Sequence, residues 1–247
     1  MVSVVEARRS TVARRGLRRR TIALLLGLTA FGLFGVTAGQ LTGYENETAA
    51  VSEGLVQAGQ LRVLPGTPLA AEGIIGRGDR RYGRTGLTQP LLEVPAYWLG
   101  QKLDELAADG TSYRWRLTVL QLFDPAMAAL AVVAIFALLL LRGVTERRAG
   151  VIAGLCAVGT LIWPYSKLGL DTTLMAMLAL TVLAAAWAAR RPTPGRLALL
   201  GVAAALAMNS KAYGALLALG SLPLLASTFR QLVRGRGAGR WPRWRYR

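Results

Sequence analysis

Three glutamates follow closely after the first long apolar run of the chain. Glu45 and Glu47 lie in Gly-Tyr-Glu-Asn-Glu-Thr, and Glu53 follows in Val-Ser-Glu-Gly. The sequence holds no histidine, so histidine-containing triads, histidine-ligated zinc and imidazole acid–base chemistry are excluded. Carboxylates, arginines, lysines or tyrosines must carry any chemistry. A glutamate at a membrane face suits general base catalysis, and solvated loop acids are the plainer alternative.

Other ionisable residues could join these acids. Asp171 precedes an apolar helix, where it could cap the helix or line a site, and Asp124 before Pro125 is interpreted first as a helix cap. Guanidinium groups bind phosphate through paired hydrogen bonds, and lysines near helix ends can instead extend toward the interface. The candidate phosphate-binding residues are Arg77, Arg80, Arg81, Arg84, Lys167 and Lys211.

Composition indicates a membrane protein. Of 247 residues, 53% are hydrophobic and 17% are charged, which is too apolar for an ordinary soluble domain. The net charge of +17 lies mostly at the two ends and in two short turns, whereas residues 39–117 are nearly neutral. This distribution fits cytoplasmic positive segments better than a nucleic-acid-binding surface, which would need stacking aromatics or a known motif. The single Cys156 excludes an intrachain disulfide.

The charge pattern predicts an all-α polytopic membrane protein with about six transmembrane helices and a large first extracytoplasmic loop. Residues 1–20 form a cytoplasmic Arg-rich tail, 39–117 form the loop, and 228–247 form a cytoplasmic basic tail. The predicted spans are 21–38, 118–141, 149–163, 172–189, 197–208 and 215–227. Cleavage of the first span as a signal peptide is the alternative for that segment.

The loop itself should hold two helices. Ser52 to Leu61 is predicted as a short amphipathic helix ended by Gly59, with Glu45 and Glu47 on an irregular segment before it. Residues 63–89 are rich in glycine and proline, which predicts irregular backbone. Residues 90–108 are predicted to form an interfacial helix whose apolar face lies along the membrane and whose Glu93 lies on another face.

Three sequence segments resemble the membrane-embedded GT-C glycosyltransferases, which use dolichyl- or polyprenyl-phosphate sugars, including the aminoarabinose-transferase-like enzymes. The first pairs Gly43-Tyr44-Glu45 with the later Ala58-Gly59-Gln60-Leu61. The second is Tyr82-Gly83-Arg84-Thr85-Gly86 continuing through Gln89-Pro90-Leu91-Leu92 to Pro95-Ala96-Tyr97-Trp98-Leu99-Gly100. The third runs from Trp163-Pro164-Tyr165-Ser166-Lys167 to Asp171-Thr172. Tyr44 stands where the family usually has aspartate, so Glu45 is the matching acid.

The resemblance implies an inverting transfer of a sugar from a polyprenyl-phosphate donor to an extracytoplasmic acceptor. Glu45 would be the general base, with Glu47 second, and Asp171 would line the same site. Carboxylate ligands would suit Mg²⁺ or Mn²⁺. The chain corresponds to the N-terminal half of such an enzyme. The alternative is a non-catalytic module that binds a lipid or assembles with a second membrane subunit.

These patterns together predict the cellular location and the partners of the protein. We expect a multi-pass protein of the bacterial plasma membrane with both termini in the cytoplasm. The expected partners are the lipid bilayer, a polyprenyl-phosphate-linked sugar and a second membrane subunit, without nucleic acid. A transporter is disfavoured because no charge pair at the membrane centre and no inverted repeat is visible in the sequence.

Overall fold

The computed structural model describes residues 2–38, 43–65, 74–83, 86–107, 113–168, 172–190, 193–211 and 226. The described part is all-α apart from one hairpin whose two strands have two residues each. Its elements are, in order, α1 (Val2–Val36), α2 (Gly43–Ala58), β1 (Ile74–Ile75), β2 (Arg81–Tyr82), α3 (Thr88–Ala107), α4 (Arg114–Gln121), α5 (Phe123–Leu141), α6 (Glu146–Gly159), α7 (Ile162–Leu168), α8 (Thr172–Arg190) and α9 (Pro194–Ser210). The all-α membrane fold predicted from the sequence is confirmed.

Three helical stretches of the described chain are long and apolar enough to cross a membrane. They are Gly16–Val36, Arg114–Leu141 and Thr172–Arg190. The helix α5 lies at the centre of this group and packs against α1, α6 and α8, while α9 packs along α8. Of the six predicted spans, the last, 215–227, lies almost wholly outside the described residues, and the six-span count stays a prediction.

Salt bridges join α1 to the start of α6. Arg19 Nε donates to Glu146 Oε1 at 2.9 Å, and Arg18 Nε lies 3.4 Å from Glu146 Oε2. Glu146 begins α6 directly after the turn that carries Arg142. The basic N-terminal tail and this turn therefore lie on the same side of the helix group, as the predicted topology requires.

The first loop helix starts earlier than the sequence pattern predicted. The helix α2 runs from Gly43 to Ala58, so Glu45 and Glu47 lie on its first turns and not on an irregular segment. Tertiary packing accounts for the difference, because Ala49, Ala50 and Val51 are buried against neighbouring helices. The predicted helix end is close: Gly59 takes φ +62°, a conformation that glycine adopts without a Cβ clash.

The second loop helix has its polar residues inside. The helix α3 covers the predicted range closely, but Glu93 is buried, whereas Leu91, Trp98 and Leu106 are exposed. Glu93 thus lies on a different face from these apolar residues, as the pattern predicts, but the pattern did not indicate that this face is the packed one. The inner face meets buried hydroxyls and the outer face meets the surroundings, an arrangement that suits a helix lying at a membrane interface.

Glycines allow α3 to approach its neighbours. A Cβ on Gly86, just before α3, would stand 1.6 Å from the carbonyl oxygen of Asn209 at the end of α9, and one on Gly100 would stand 2.5 Å from the Cα of Arg116 in α4. Thr88 adds a hydrogen bond of 2.7 Å from its hydroxyl to the carbonyl oxygen of Leu206. The start of α3 is therefore fixed to α9 and its later turns to α4.

The Gly86 contact can be tested by adding one methyl group. We expect Gly86→Ala to lower the free energy of unfolding by about 2 kcal/mol, because backbone atoms of Asn209 would have to move. The control is Gly201→Ala in α9, where a Cβ meets nothing within 4 Å and helix propensity favours alanine by about 0.5–1 kcal/mol. Melting of the purified protein in detergent should show opposite shifts. Equal melting temperatures for the two variants would contradict the packing.

Candidate active site

Carboxyl groups from three helices meet in the described structure. Glu45 comes from the first turn of α2, Glu93 from the second turn of α3 and Asp124 from the first turn of α5, and all three are buried. We call these three side chains the acid cluster. An ionised carboxylate without partners is costly to bury, so the partners of each group decide what the cluster can do.

Asp124 belongs to this cluster and does not occupy the N-cap of its helix. The N-cap of α5 is Leu122, so the interpretation of Asp124 as a capping residue is wrong. Its Oδ1 accepts a hydrogen bond from the hydroxyl of Thr172, the first residue of α8. Its carboxyl group is also hydrogen-bonded to Glu45. Since a hydrogen bond between two carboxyl groups requires a proton, Glu45 and Asp124 hold one between them.

Glu93 lies beside this pair among hydroxyl and amide groups. Its Oε1 lies within hydrogen-bond distance of Gln89 Nε2 at 2.8 Å and of Thr48 Oγ1 at 3.1 Å, and its Oε2 is 3.1 Å from Ser52 Oγ. Burial raises the pKa of Glu93 from 4.5 to about 7, although these hydrogen bonds lower it; the negative charge of Glu45 adds to the rise. Glu93 therefore changes its charge near neutral pH.

Glu47 faces the opposite side of α2. A Cβ on Gly83 would stand 3.5 Å from Glu47 Oε1 and 3.2 Å from Val51 Cγ2, so this face packs against the end of the β1–β2 hairpin. Val51 and Gly83 line an apolar cleft of about 320 Å³ together with Leu61, Tyr82, Leu87 and Pro90. Two residues along a helix point about 200° apart, which separates Glu45 and Glu47.

The predicted phosphate-binding residues are only partly described. Arg80 is exposed, Arg81 is partly buried in β2, where it pairs with Ile75, and Lys211 follows α9 directly. Lys211 comes two residues after Asn209, whose carbonyl oxygen lies against Gly86 just before α3. Arg84 lies outside the described residues, and the side chains of Arg77 and Lys167 do as well.

Asp171 also lies outside the described residues, one position before Thr172. Within the described part of the chain, no group of three or more acidic, histidine or cysteine side chains is arranged to hold a metal ion. Glu45 and Asp124 bond to each other, which is an arrangement for a proton and does not fit a shared cation. The binding of Mg²⁺ or Mn²⁺ stays a prediction.

A second polar network holds the loop helices together. Glu53 Oε1 accepts from the hydroxyl of Tyr113 and from Gln57 Nε2 at 3.0 Å. Tyr97 OH receives Gln57 Nε2 and Arg116 Nη1, each at 3.1 Å, and the Arg116 guanidinium lies 4.4 Å from the ring centre of Tyr113. Glu53 thus joins α2 to α4.

Asp104 completes this network at the end of α3. Its carboxylate receives Trp115 N at 2.9 Å, Arg116 Nε at 2.8 Å and Tyr113 N at 3.3 Å. Burial raises the pKa of Asp104, but these hydrogen bonds outweigh burial and hold it below the usual value. By capping the start of α4 with a charge, Asp104 fixes the angle between α3 and α4.

Sequence reasoning missed Glu93 and Asp124 as site residues. The helical pattern places Glu93 only off the apolar face of its helix, and Asp124 before a proline has an ordinary capping explanation. One signal in the sequence could have found Glu93. Thr48 and Ser52 are four residues apart, as are Gln89 and Glu93, so two helices each present a polar pair on one face, which is unusual inside an otherwise apolar packed surface.

The fold is that of an all-α membrane protein, and the acid cluster lies where α2, α3 and α5 meet. Residues 116–238 match the family described as dolichyl-phosphate-mannose-protein mannosyltransferase, about half of the chain. The chain belongs to this family of GT-C type membrane glycosyltransferases. No curated protein and no solved structure matches the chain. The matched segment includes Asp124 and Thr172 but begins after α2 and α3. The roles of Glu45 and Glu93 therefore rest on their contacts.

Asp104 offers a test of the network that holds α3 and α4. We expect Asp104→Asn to lower the free energy of unfolding by about 2 kcal/mol near neutral pH, because three donors lose a charged acceptor. Since the folded-state pKa of Asp104 is lowered, its contribution is present above the unfolded pKa and is lost as the pH falls through the folded value. The difference in melting temperature between variant and wild type should therefore shrink in acid.

The neighbouring Glu105 provides the control. Its contact with Lys102 Nζ at 2.6 Å joins two half-exposed side chains, and exposed pairs contribute about 0–1 kcal/mol. Glu105→Gln should therefore leave the melting temperature nearly unchanged. A larger loss for Glu105→Gln than for Asp104→Asn would contradict the assignment.

Proposed function

We propose that the chain transfers a sugar from a polyprenyl-phosphate donor to an acceptor hydroxyl at the extracytoplasmic face of the membrane, with inversion at the anomeric carbon. The observation that carries this proposal is the hydrogen-bonded pair of Glu45 and Asp124, buried where the first loop helix meets the helix group. Membership of the family supports transfer of a sugar, and the resemblance of the loop segments supports the donor class.

Glu45 is the general base in this proposal. As the acceptor oxygen attacks the anomeric carbon, a new carbon–oxygen bond forms and the bond to the phosphate oxygen breaks. The acceptor hydroxyl gives its proton to Glu45, and the lipid phosphate leaves with the bonding electrons. The base acts from one side of the sugar while the phosphate leaves from the other, which inverts the anomeric configuration.

Asp124 orients the base. Its hydrogen bond to Glu45 fixes one carboxyl oxygen of the base, and Thr172 in turn fixes Asp124. The aspartate also gives the transferred proton a second acceptor within the cluster. Side chains that are held by a further hydrogen bond lose less orientation on reaction.

The other predicted site residues take secondary places. Asp171, next to Thr172, would line the same site, and Glu47 is the second choice for the base because it faces the cleft beside Gly83. The donor phosphate would be bound by arginines and lysines of the extracytoplasmic side. These are Arg77, Arg80, Arg81, Arg84, Lys167 and Lys211. Both termini would lie in the cytoplasm, and the membrane would be a bacterial plasma membrane.

The choice of base can be tested in membranes that contain the protein. We expect Glu45→Gln to lower transfer from radiolabelled polyprenyl-phosphate sugars, mannose first, by about 10²-fold or more, because an amide cannot accept the proton. Glu47→Gln should cause a smaller loss, and Glu105→Gln none. Membrane insertion is checked for each variant by its amount in the washed membrane fraction.

The three variants separate the possible assignments. Loss of transfer in Glu47→Gln with normal transfer in Glu45→Gln would move the base to the cleft side of α2. Normal transfer in both would remove the first loop helix from catalysis. Absence of transfer in the wild-type protein with every donor would leave the non-catalytic lipid-binding or assembly module as the better description.

A further inference from the structure

Ser52 Oγ is surrounded by three oxygen atoms, one of which belongs to Glu93. Ser52 Oγ lies 2.9 Å from the carbonyl oxygen of Thr48, 3.0 Å from that of Pro90 and 3.1 Å from Glu93 Oε2. A hydroxyl group has one hydrogen to donate and can accept with its lone pairs. With Glu93 ionised, three acceptors compete for this one hydrogen. A proton on Glu93 Oε2, donated to Ser52, leaves the Ser52 hydrogen to the two backbone carbonyl oxygens, both of which lie within helices.

Thr48 repeats the arrangement one turn earlier. Its hydroxyl oxygen is 3.0 Å from the carbonyl oxygen of Glu45 and 3.1 Å from Glu93 Oε1, and Gln89 Nε2 approaches at 3.4 Å. The single hydrogen of Thr48 can satisfy one of its two acceptors. Because Gln89 already donates to Glu93 Oε1 at 2.8 Å, Thr48 is free to donate to the Glu45 carbonyl and hold the first turn of α2.

We propose that Glu93 is a positioning residue for Glu45, and that it works as a neutral carboxylic acid that donates from Oε2 to Ser52. In this state Ser52 donates to a backbone carbonyl, Thr48 secures the turn that carries Glu45, and α2 is locked to α3 without a buried negative charge. The role in sugar transfer rests on the proposed function, whereas the protonation of Glu93 does not.

The groups that face Glu93 explain why its charge matters. From α2 it faces Glu45, and from α5 it faces Asp124, both acidic. On α4, the cation Arg116 donates hydrogen bonds to Asp104 and Tyr97, further along α3. The contact of α9 near the start of α3 is made by the Leu206 carbonyl oxygen. Ionised Glu93 would therefore place a second negative charge beside the singly charged Glu45–Asp124 pair, which disfavours an ionised Glu45.

The pKa of Glu93, raised by burial to about 7, sets the pH range in which this state is lost. In the unfolded chain the group ionises near its ordinary 4.5. Its contribution to stability is thus complete below the unfolded value and disappears as the pH rises through the folded one. Above neutral pH the folded protein holds a buried negative charge at Glu93.

Infrared difference spectra of the purified protein in detergent test the protonation. We expect the carbonyl band of a protonated carboxylic acid to disappear as the pH rises through about 7, and we expect Glu93→Gln to lack this change. The control is Glu53→Gln, which removes another buried acid of the same loop that bonds to Tyr113 and Gln57. A titrating band that persists in Glu93→Gln would place the proton elsewhere and overturn the proposal.

Melting curves provide the second measurement. The loss of stability as the pH rises from about 4.5 to about 7 should be larger in wild type and Glu53→Gln than in Glu93→Gln, because an amide stays neutral whereas the proton of the Glu45–Asp124 pair is common to all three. A parallel loss in Glu93→Gln would overturn the assignment of the proton. This outcome does not depend on any enzymatic activity.

The positioning role is tested by the ratio of transfer rates. The rate of Glu93→Gln divided by that of wild type should rise about fivefold between pH about 7 and about 8, since wild-type Glu93 becomes charged and the amide does not. A ratio that stays flat overturns the positioning role even where the infrared band titrates. Lack of transfer in wild type counts against the proposed function alone, because the spectra and melting curves still decide the proton on Glu93.

Discussion

The burial of several carboxyl groups between helices is the constraint on which the arrangement of the loop depends. A carboxylate removed from water is strongly disfavoured unless hydroxyls, amides or a shared proton compensate it. Here the compensating groups come from other elements: Thr48 and Ser52 of α2 for Glu93, and Thr172 of α8 for Asp124. Each carboxyl group therefore joins two helices, and separating the helices would leave it buried or exposed without its partners.

The helix α3 is the element through which these requirements are combined. Its second turn carries Glu93 toward α2, its middle carries Tyr97 and Gly100 toward α4, and its start is fixed to α9 by Thr88. Glycine at the closest approaches lets backbone meet backbone. Because all these contacts lie on one side, the other side of α3 is left to Leu91, Trp98 and other exposed apolar residues. The same geometry explains both its polar inner face and its apolar outer face.

The sequence predicted much of this fold because hydrophobicity and charge are averaged over many residues. The all-α membrane class, the loop helix near 90–108 and the end of α2 at Gly59 all come from such patterns. The contacts of single polar residues could not be predicted in the same way. Periodicity places Glu93 off the apolar face of its helix, but it does not tell whether that face meets water or Ser52, because buried polar residues look like surface residues in a sequence.

The acid at the base position was predicted from a resemblance, and its environment was not. Glu45 matches a motif, but its partner Asp124 lies far away in the chain and has an ordinary capping explanation. Helix ends from different parts of a membrane protein meet at one face, so a distant acid next to the start of a span is a candidate partner. In the sequence, Asp124 and Asp171 each have a separate explanation as a helix cap, which does not indicate a shared partner.

The opposed faces of α2 limit what the two glutamates of its first turns can do. A catalytic base must give up its proton between turnovers and must be ionised when the acceptor arrives. Glu45 has Asp124 as a hydrogen-bond partner, so the proton can be held by the pair without leaving either group alone in a buried charged state. Glu47 lies beside Gly83 on the opposite face of α2, away from this pair. The first turns of α2 thus present the two glutamates to different neighbours, although only one residue separates them in the chain.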